Sequence, residues 1–288
     1  MVDLTAEEIS GGKKQLGVKN KEFKLVLLYL GIVLFLSYFV FWGPIALFKI
    51  ETANLTQGTT GPIWALILFI LGGFVPSIVG IAFTAFLEGK PGIKKLFRSS
   101  INVKIGLKSY LLILLVSIFY GGSLILINTI LGGKFDYSQF WLQLITIIPL
   151  IILGPLSEEY GWRGFALKQL LKNNNSILAS FIIGLGWSLW HLPLFFMLGT
   201  SQYAYQLPFL TFLLTVTSSS FIYTYIYIKT KKSLFSAIIL HWIWTYIMQV
   251  IASTVARSSA YNWLEAAPAI LLGIIFILLL RYKKGLPK

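Results

Sequence analysis

The chain contains no cysteine in its 288 residues. That removes disulfide scaffolds, thiol nucleophiles and cysteine-ligated metals from consideration. Histidine is nearly as scarce: His191 and His241 are the only two, so any imidazole chemistry must use one or both. Charge is thin as well. Charged residues make up 12% of the chain and hydrophobic ones 57%, against roughly 25% and 45–50% in soluble domains. What is abundant is aromatic: 22 Phe, 14 Tyr and 9 Trp, a load suited to lipid and its interfaces. This is the composition of a polytopic membrane protein.

Uncharged runs mark the spans. They are Leu25–Phe48, Pro62–Leu87, Ser109–Gly133, Tyr137–Ser157, a long stretch from Asn173 to Ile228, then Ser233–Ala256 and Ala266–Leu280. A membrane-crossing helix needs about 20 apolar residues, so the long stretch holds two, divided at the polar break Gly199–Gln206. The sequence therefore predicts an all-α bundle of about eight transmembrane helices, near 25–45, 62–87, 110–131, 139–171, 176–198, 207–228, 233–255 and 263–281. Residues 1–23 are expected to form a mobile cytoplasmic tail and 24–288 a single transmembrane domain. The start does not read as a cleaved signal peptide, because its apolar run is too long and no small-residue cleavage site follows.

A formal net charge of +14 could suggest a nucleic-acid partner, but its distribution argues for topology instead. Of the 24 basic residues all but Lys49, Lys134 and Arg257 lie before span one, between spans two and three, after spans four and six, or at the chain's end. The positive-inside rule then puts both termini in the cytoplasm. No nucleic acid is expected as a partner; lipid is.

Chemistry begins with Ser157-Glu158-Glu159-Tyr160-Gly161-Trp162-Arg163. Acids inside a membrane are costly and usually paired or functional. On a helix Glu159 and Arg163 stand at i,i+4 with the acid N-terminal, the better orientation for an ion pair. Glu158 points about 100° away and has no such partner. One carboxylate is thus structural and the other free for proton transfer. The competing reading has both acids simply ending the span at the headgroups.

His191 lies in Trp187-Ser188-Leu189-Trp190-His191-Leu192-Pro193, deep in an uncharged stretch. Asn173-Asn174-Asn175 is the only turn signal between spans four and five, which should form an antiparallel hairpin. The midpoint between Glu158 and His191 falls inside that turn, so the two should face each other at one depth. Pro155 and Pro193 flank the pair, and each would kink its helix and free a carbonyl. His241 lies eight residues past the basic loop, ~12 Å into span seven, whereas His191 lies ~24 Å from its turn. Those depths agree if the hairpin projects beyond the membrane face. A lone histidine on either helix would be an ordinary buried hydrogen-bonding group; two converging on a carboxylate pair suggest a site. Span six adds Thr215, Thr217, Ser218, Ser219, Ser220 and Thr224, which either pack helices closely or line a cavity.

The pattern Glu-Glu-x-x-x-Arg, aromatic-x-x-x-His and His-x-x-x-polar on spans four, five and seven resembles the CPBP (CAAX protease and bacteriocin-processing, or Abi) intramembrane proteases, related to the Ras-converting CAAX prenyl protease. The resemblance covers about residues 110–255. It implies that Glu158 activates water with help from His191, that His241 helps stabilise the oxyanion, and that Glu159 and Arg163 support the site. Two positions depart from the family: Trp187 stands where Phe is usual, and Thr245 where Asn or Asp is usual. Eukaryotic members are linked to prenylated CAAX tails, bacterial ones to peptide maturation or bacteriocin immunity.

The residue chemistry fits peptide hydrolysis on its own terms. A desolvated carboxylate is a competent general base, and donors preorganised in a dry site stabilise an oxyanion strongly. Glu158, His191 and His241 could also ligate zinc, although they lack the His-Glu-x-x-His spacing. No cofactor is favoured; zinc stays open. The expected function is endopeptidase action on membrane-associated or lipidated peptides in a cell membrane, the Lys-, Asn- and Ile-rich usage pointing to a bacterium. The alternatives are a catalytically silent relative acting as scaffold or immunity protein, and a proton-coupled transporter.

Overall fold

The computed structural model describes residues 6–52, 61–138, 140–145, 151–283 and 285–286. Among these the chain is helical, with one isolated bridge between Phe135 and Val255 and no strand. A bilayer dictates that outcome, since hydrocarbon offers peptide groups no partners and a helix satisfies its own. The order is α1 (Ala6–Phe35), a wide-turned π segment (Leu36–Phe41), α2 (Trp42–Leu47), α3 (Ile63–Ser100) and α4 (Leu107–Ile130). Then come α5 (Phe140–Ile145), a π segment (Ile152–Leu156), α6 (Ser157–Gly161), another π segment (Trp162–Leu167), α7 (Lys168–Asn173) and α8 (Ser176–Trp190). A 3-10 turn (Leu192–Phe195) leads to α9 (Ser201–Ala204), α10 (Phe209–Lys229), α11 (Leu234–Thr254), α12 (Ser259–Leu264) and α13 (Ala267–Arg281).

Six segments are long and apolar enough to cross a membrane: Lys21–Leu47, Ile63–Ser100, Leu107–Ile130, Phe209–Lys229, Leu234–Thr254 and Ser259–Arg281. With their lipid-facing Phe86, Ile130 and Leu47, they make this a multi-pass membrane protein. They answer to six of the eight expected spans. The other two differ in instructive ways.

The fourth, expected as one helix over 139–171, is broken into α5, α6 and α7 joined by π turns; residues 139 and 146–150 lie outside the described residues. Pro155 sits in the first π segment, where it cannot donate an amide hydrogen and forces a wider turn. Carbonyls loosened there are taken by hydroxyls: Ser157 Oγ donates to Gly154 O at 2.7 Å and Ser77 Oγ to Leu156 O at 3.1 Å. The fifth, expected to reach 198, stops at Trp190. Pro193 removes the amide that would have bonded Leu189 O, and the Tyr38 hydroxyl donates to that carbonyl instead.

Up to its kink, the Ile63–Glu88 part of α3 rises ~39 Å, longer than a ~30 Å hydrocarbon core. It bends at Gly89, whose φ of 63° is in the left-handed region. Beyond the bend, exposed Lys90, Lys94, Lys95 and Arg98 ride on helix down to Ser100. Lys168 of α7 pairs with Glu88 there at 2.6 Å, and Asn173 Nδ2 donates to Glu22 at 2.7 Å. These contacts tie the α7–α8 hairpin to α3 and α1. Helix α1 also reaches back to Ala6, through the segment expected as a tail.

Two close crossings seat the centre. A Cβ on Gly80 of α3 would stand 2.5 Å from Gly161 Cα, and one on Gly161 only 2.0 Å from Pro76 O; bare backbones let α3 and α6 meet. Helix α10 is the most enclosed span, more than half of its apolar window being buried against a third for α1, α3 and α4. One face of it packs on α8, where Gly184 meets Thr217 and Ser220, and another meets Gly273 of α13 through Ser218.

Candidate active site

Between the two π segments, α6 holds Glu158 and Glu159 as adjacent buried acids. They face different partners. Glu159 is fully buried and its Oε1 accepts twice, from Arg163 Nη1 at 2.8 Å and from His241 Nδ1 at 2.8 Å. The i,i+4 pair expected from sequence is present. The bond to His241 was not expected, because it joins residues 82 apart in the chain. It fixes the ring: Nδ1 faces Glu159, and Nε2 faces the cavity beside Gly154.

Glu158 finds its partner on α8. Trp187 Nε1 donates to its Oε2 at 2.5 Å, a bond that Phe at this position could not make. The same indole lies under the Arg163 guanidinium, 4.2 Å from ring centre to Cζ, with the Tyr223 ring on the other side at 4.1 Å. Arg163 Nε and Nη2 have no hydrogen-bond partner among the described residues. Two aromatic faces offset that loss, each such contact reaching about 2 kcal/mol when desolvated. Trp187 thus touches both halves of the acid pair.

His191 stands at the C-cap of α8, and its Nδ1 lies 2.9 Å from Trp187 O. A carbonyl can only accept, so Nδ1 carries the proton and Nε2 of the neutral ring keeps its lone pair. Ending α8 at Trp190 therefore aims this histidine rather than burying it in a continuing helix.

Glu158, Trp187, His191, His241 and Thr245 all line one cavity of about 320 Å³. Gly154, in the π segment, completes its floor. A side chain there would begin 3.8 Å from both His241 Nε2 and Thr245 Oγ1, so the glycine keeps the space before these two groups open. Thr215 and Ser219 of α10 also line the cavity while Thr217 and Ser220 pack against α8. Both readings of that polar helix hold, on different faces. Tyr223 escaped the sequence reading, although it extends the lining stripe Thr215–Ser219 by one more step of four.

Although three candidate ligands share the cavity, among the described residues no group of three or more His, Asp or Glu is arranged to hold a metal ion. His241 Nδ1 and one oxygen of Glu158 are committed to Glu159 and Trp187.

Residues 140–247 match the family model described as type II CAAX prenyl endopeptidase Rce1-like. CAAX prenyl protease 2 of Methanococcus maripaludis is 32% identical over 150 residues, covering 50% of this chain and 53% of that protein. The chain therefore spans about half the length of this relative. Every residue of the acid pair, the arginine and both histidines falls inside the matched segment. Through that segment the chain is similar to the Rce1-like type II CAAX prenyl endopeptidases.

Proposed function

We propose that this protein is an intramembrane endopeptidase that hydrolyses peptide bonds of membrane-associated or lipidated peptides. The observation that carries the reading is that Glu158, His191 and His241 line one cavity, Glu158 and His191 both held by Trp187 and His241 by Glu159. Water sits between Glu158 and His191. Its oxygen attacks the scissile carbonyl while its proton passes to Glu158, the general base. The carbonyl oxygen becomes an oxyanion facing His241 and Thr245. Glu159 holds His241 by Nδ1 and turns Nε2 to that side, where an Nε2–H would donate to the oxyanion. Glu158 then returns its proton to the departing amide nitrogen, and the C–N bond breaks. The likeness to CAAX prenyl protease 2 of Methanococcus maripaludis favours substrates of the prenylated CAAX class.

A second reading, a catalytically silent relative serving as scaffold or immunity protein, is favoured by Thr245, which offers one hydroxyl where the family has an amide or acid. Membrane peptidomics separates the two. Peptides that accumulate in cells carrying Glu158→Gln and disappear with wild type support proteolysis; identical peptide sets defeat it.

A further inference from the structure

Past His241 and Thr245 the cavity continues along α11 to Gln249, and Gln202 of α9 joins its wall with Arg257 and Glu265, which flank α12. Gln249, Arg257 and Glu265 lie beyond residue 247, where the match to the CAAX endopeptidase model ends. This part of the cavity is therefore built largely outside that likeness.

The charges there are spent on scaffolding. Arg257 pairs with the buried Glu265, donates from Nε to Asn262 Oδ1 at 2.9 Å and lies over the Tyr205 ring, 5.0 Å from its centre. Asn262 Nδ2 in turn donates to Tyr205 O at 2.9 Å. These contacts pin the segment that carries Gln202. The amides are not spent. Neither the Gln202 nor the Gln249 side chain forms a hydrogen bond among the described residues, and both are half-buried. The Tyr120 hydroxyl of α4, on the same cavity, is buried without a partner among those residues.

A polar group withdrawn from water and left unpaired costs free energy, which a ligand with matching groups recovers. Each glutamine offers one carbonyl acceptor and an NH2 donor. The chemical group that answers both at once is another amide. Arg257 and Glu265 neutralise each other, so nothing here calls for a charged ligand. A peptide main chain supplies an amide at every residue, whatever its side chains.

We propose that Gln249, with Gln202 and the Tyr120 hydroxyl, forms a subsite that hydrogen-bonds the main chain of the substrate away from the scissile bond and so selects for peptide length. The inference rests on the peptidase reading and deepens it. Gln249 stands eight residues beyond His241 on α11, a distance of ~12 Å. An extended peptide advances ~3.3 Å per residue, so the subsite takes the peptide group about four residues from the cut.

The probes are two mixed-sequence peptide libraries, of four and of twelve residues, each palmitoylated at the N-terminus and fluorescent at the other end. Wild type should cleave the longer library with a kcat/KM about tenfold above that for the shorter, the difference lying in KM. Gln249→Met keeps the size of the side chain, removes its polar groups and should bring that ratio to about one. In the best-cleaved long peptide, an ester in place of the amide four residues from the cut should cost wild type about tenfold in kcat/KM and make no difference to Gln249→Met. The ester test on wild type stands even where the variant fails to fold. A length ratio that Gln249→Met retains, as a purely structural residue would leave it, overturns the proposal, and so does an ester that wild type tolerates. The same libraries are titrated by fluorescence anisotropy against Glu158→Gln protein, with and without Gln249→Met. Wild type that cleaves neither library defeats the peptidase reading, and binding then decides the subsite: about tenfold tighter binding of the longer library, lost with Gln249→Met, upholds it, and any other pattern overturns it.

Discussion

Trp187 and Glu158 sit on neighbouring helices and share a single hydrogen bond, the indole N–H donated to the carboxylate at 2.5 Å. That one contact fixes which way Glu158 faces. Replacing the indole by a phenyl ring keeps a face for Arg163 and removes only the donor. A hydrogen bond to a charged group contributes about 1.5–3 kcal/mol. Trp187→Phe should therefore melt earlier in detergent by that modest amount and lose roughly tenfold to a hundredfold in kcat. Trp187→Leu, which also strips the cation of a face, should lose stability as well. A Phe variant as active as wild type refutes the assignment.

The two acids should fail differently. Glu158→Gln keeps an acceptor for Trp187 and should leave expression and melting temperature close to wild type while abolishing cleavage. Glu159→Gln leaves Arg163 and His241 without their common anion; an uncompensated buried charge costs about 3–5 kcal/mol. Thermal unfolding in detergent, run beside the cleavage assay, tells them apart. Equal loss of fold in both contradicts this division of labour.

Close approach of α3 and α6 gives a test of packing alone. Gly80→Ala puts a Cβ 2.5 Å from Gly161 Cα, where backbone and not a flexible side chain must yield. Overpacking of this kind costs about 1–3 kcal/mol. The control is Gly73→Ala on the same helix, which meets nothing within 4 Å. The first should melt earlier than wild type and the second should not.

Metal dependence is decided by elemental analysis of active protein. With no three-ligand group among the described residues, the expected result is substoichiometric zinc and cleavage that survives chelator. Stoichiometric zinc, stripped with loss of activity and restored on readdition, would falsify the metal-free mechanism.

Much of the site was legible because its signals were local. The Glu159–Arg163 pair follows from helical spacing, and the level of Glu158 with His191 follows from the single turn between their helices. The Glu159–His241 bond was not legible, since depth along two helices says nothing about which faces meet. Nor was the indole donor: Trp187 reads in sequence as a bulky aromatic, and its N–H matters only once α8 is rotated toward α6. The broken fourth span announced itself in Pro155, but a proline signals a kink and not the π geometry on both sides of the acids. Pro193 was equally visible. Its consequence, an early end to α8, depended on Tyr38 waiting in another helix to take the vacated carbonyl.

That early end bears on something hydrolysis needs besides a base. Each bond cut consumes one water, and hydrocarbon holds almost none. Helix α8 has 15 residues, a rise of ~22 Å, against a core of ~30 Å. Where a full span would line the wall with apolar side chains, the chain instead turns at His191, and Ser201 and Gln202 join the cavity lining. For the proposed hydrolysis, that polar stretch would give water a way in which a longer apolar helix would close.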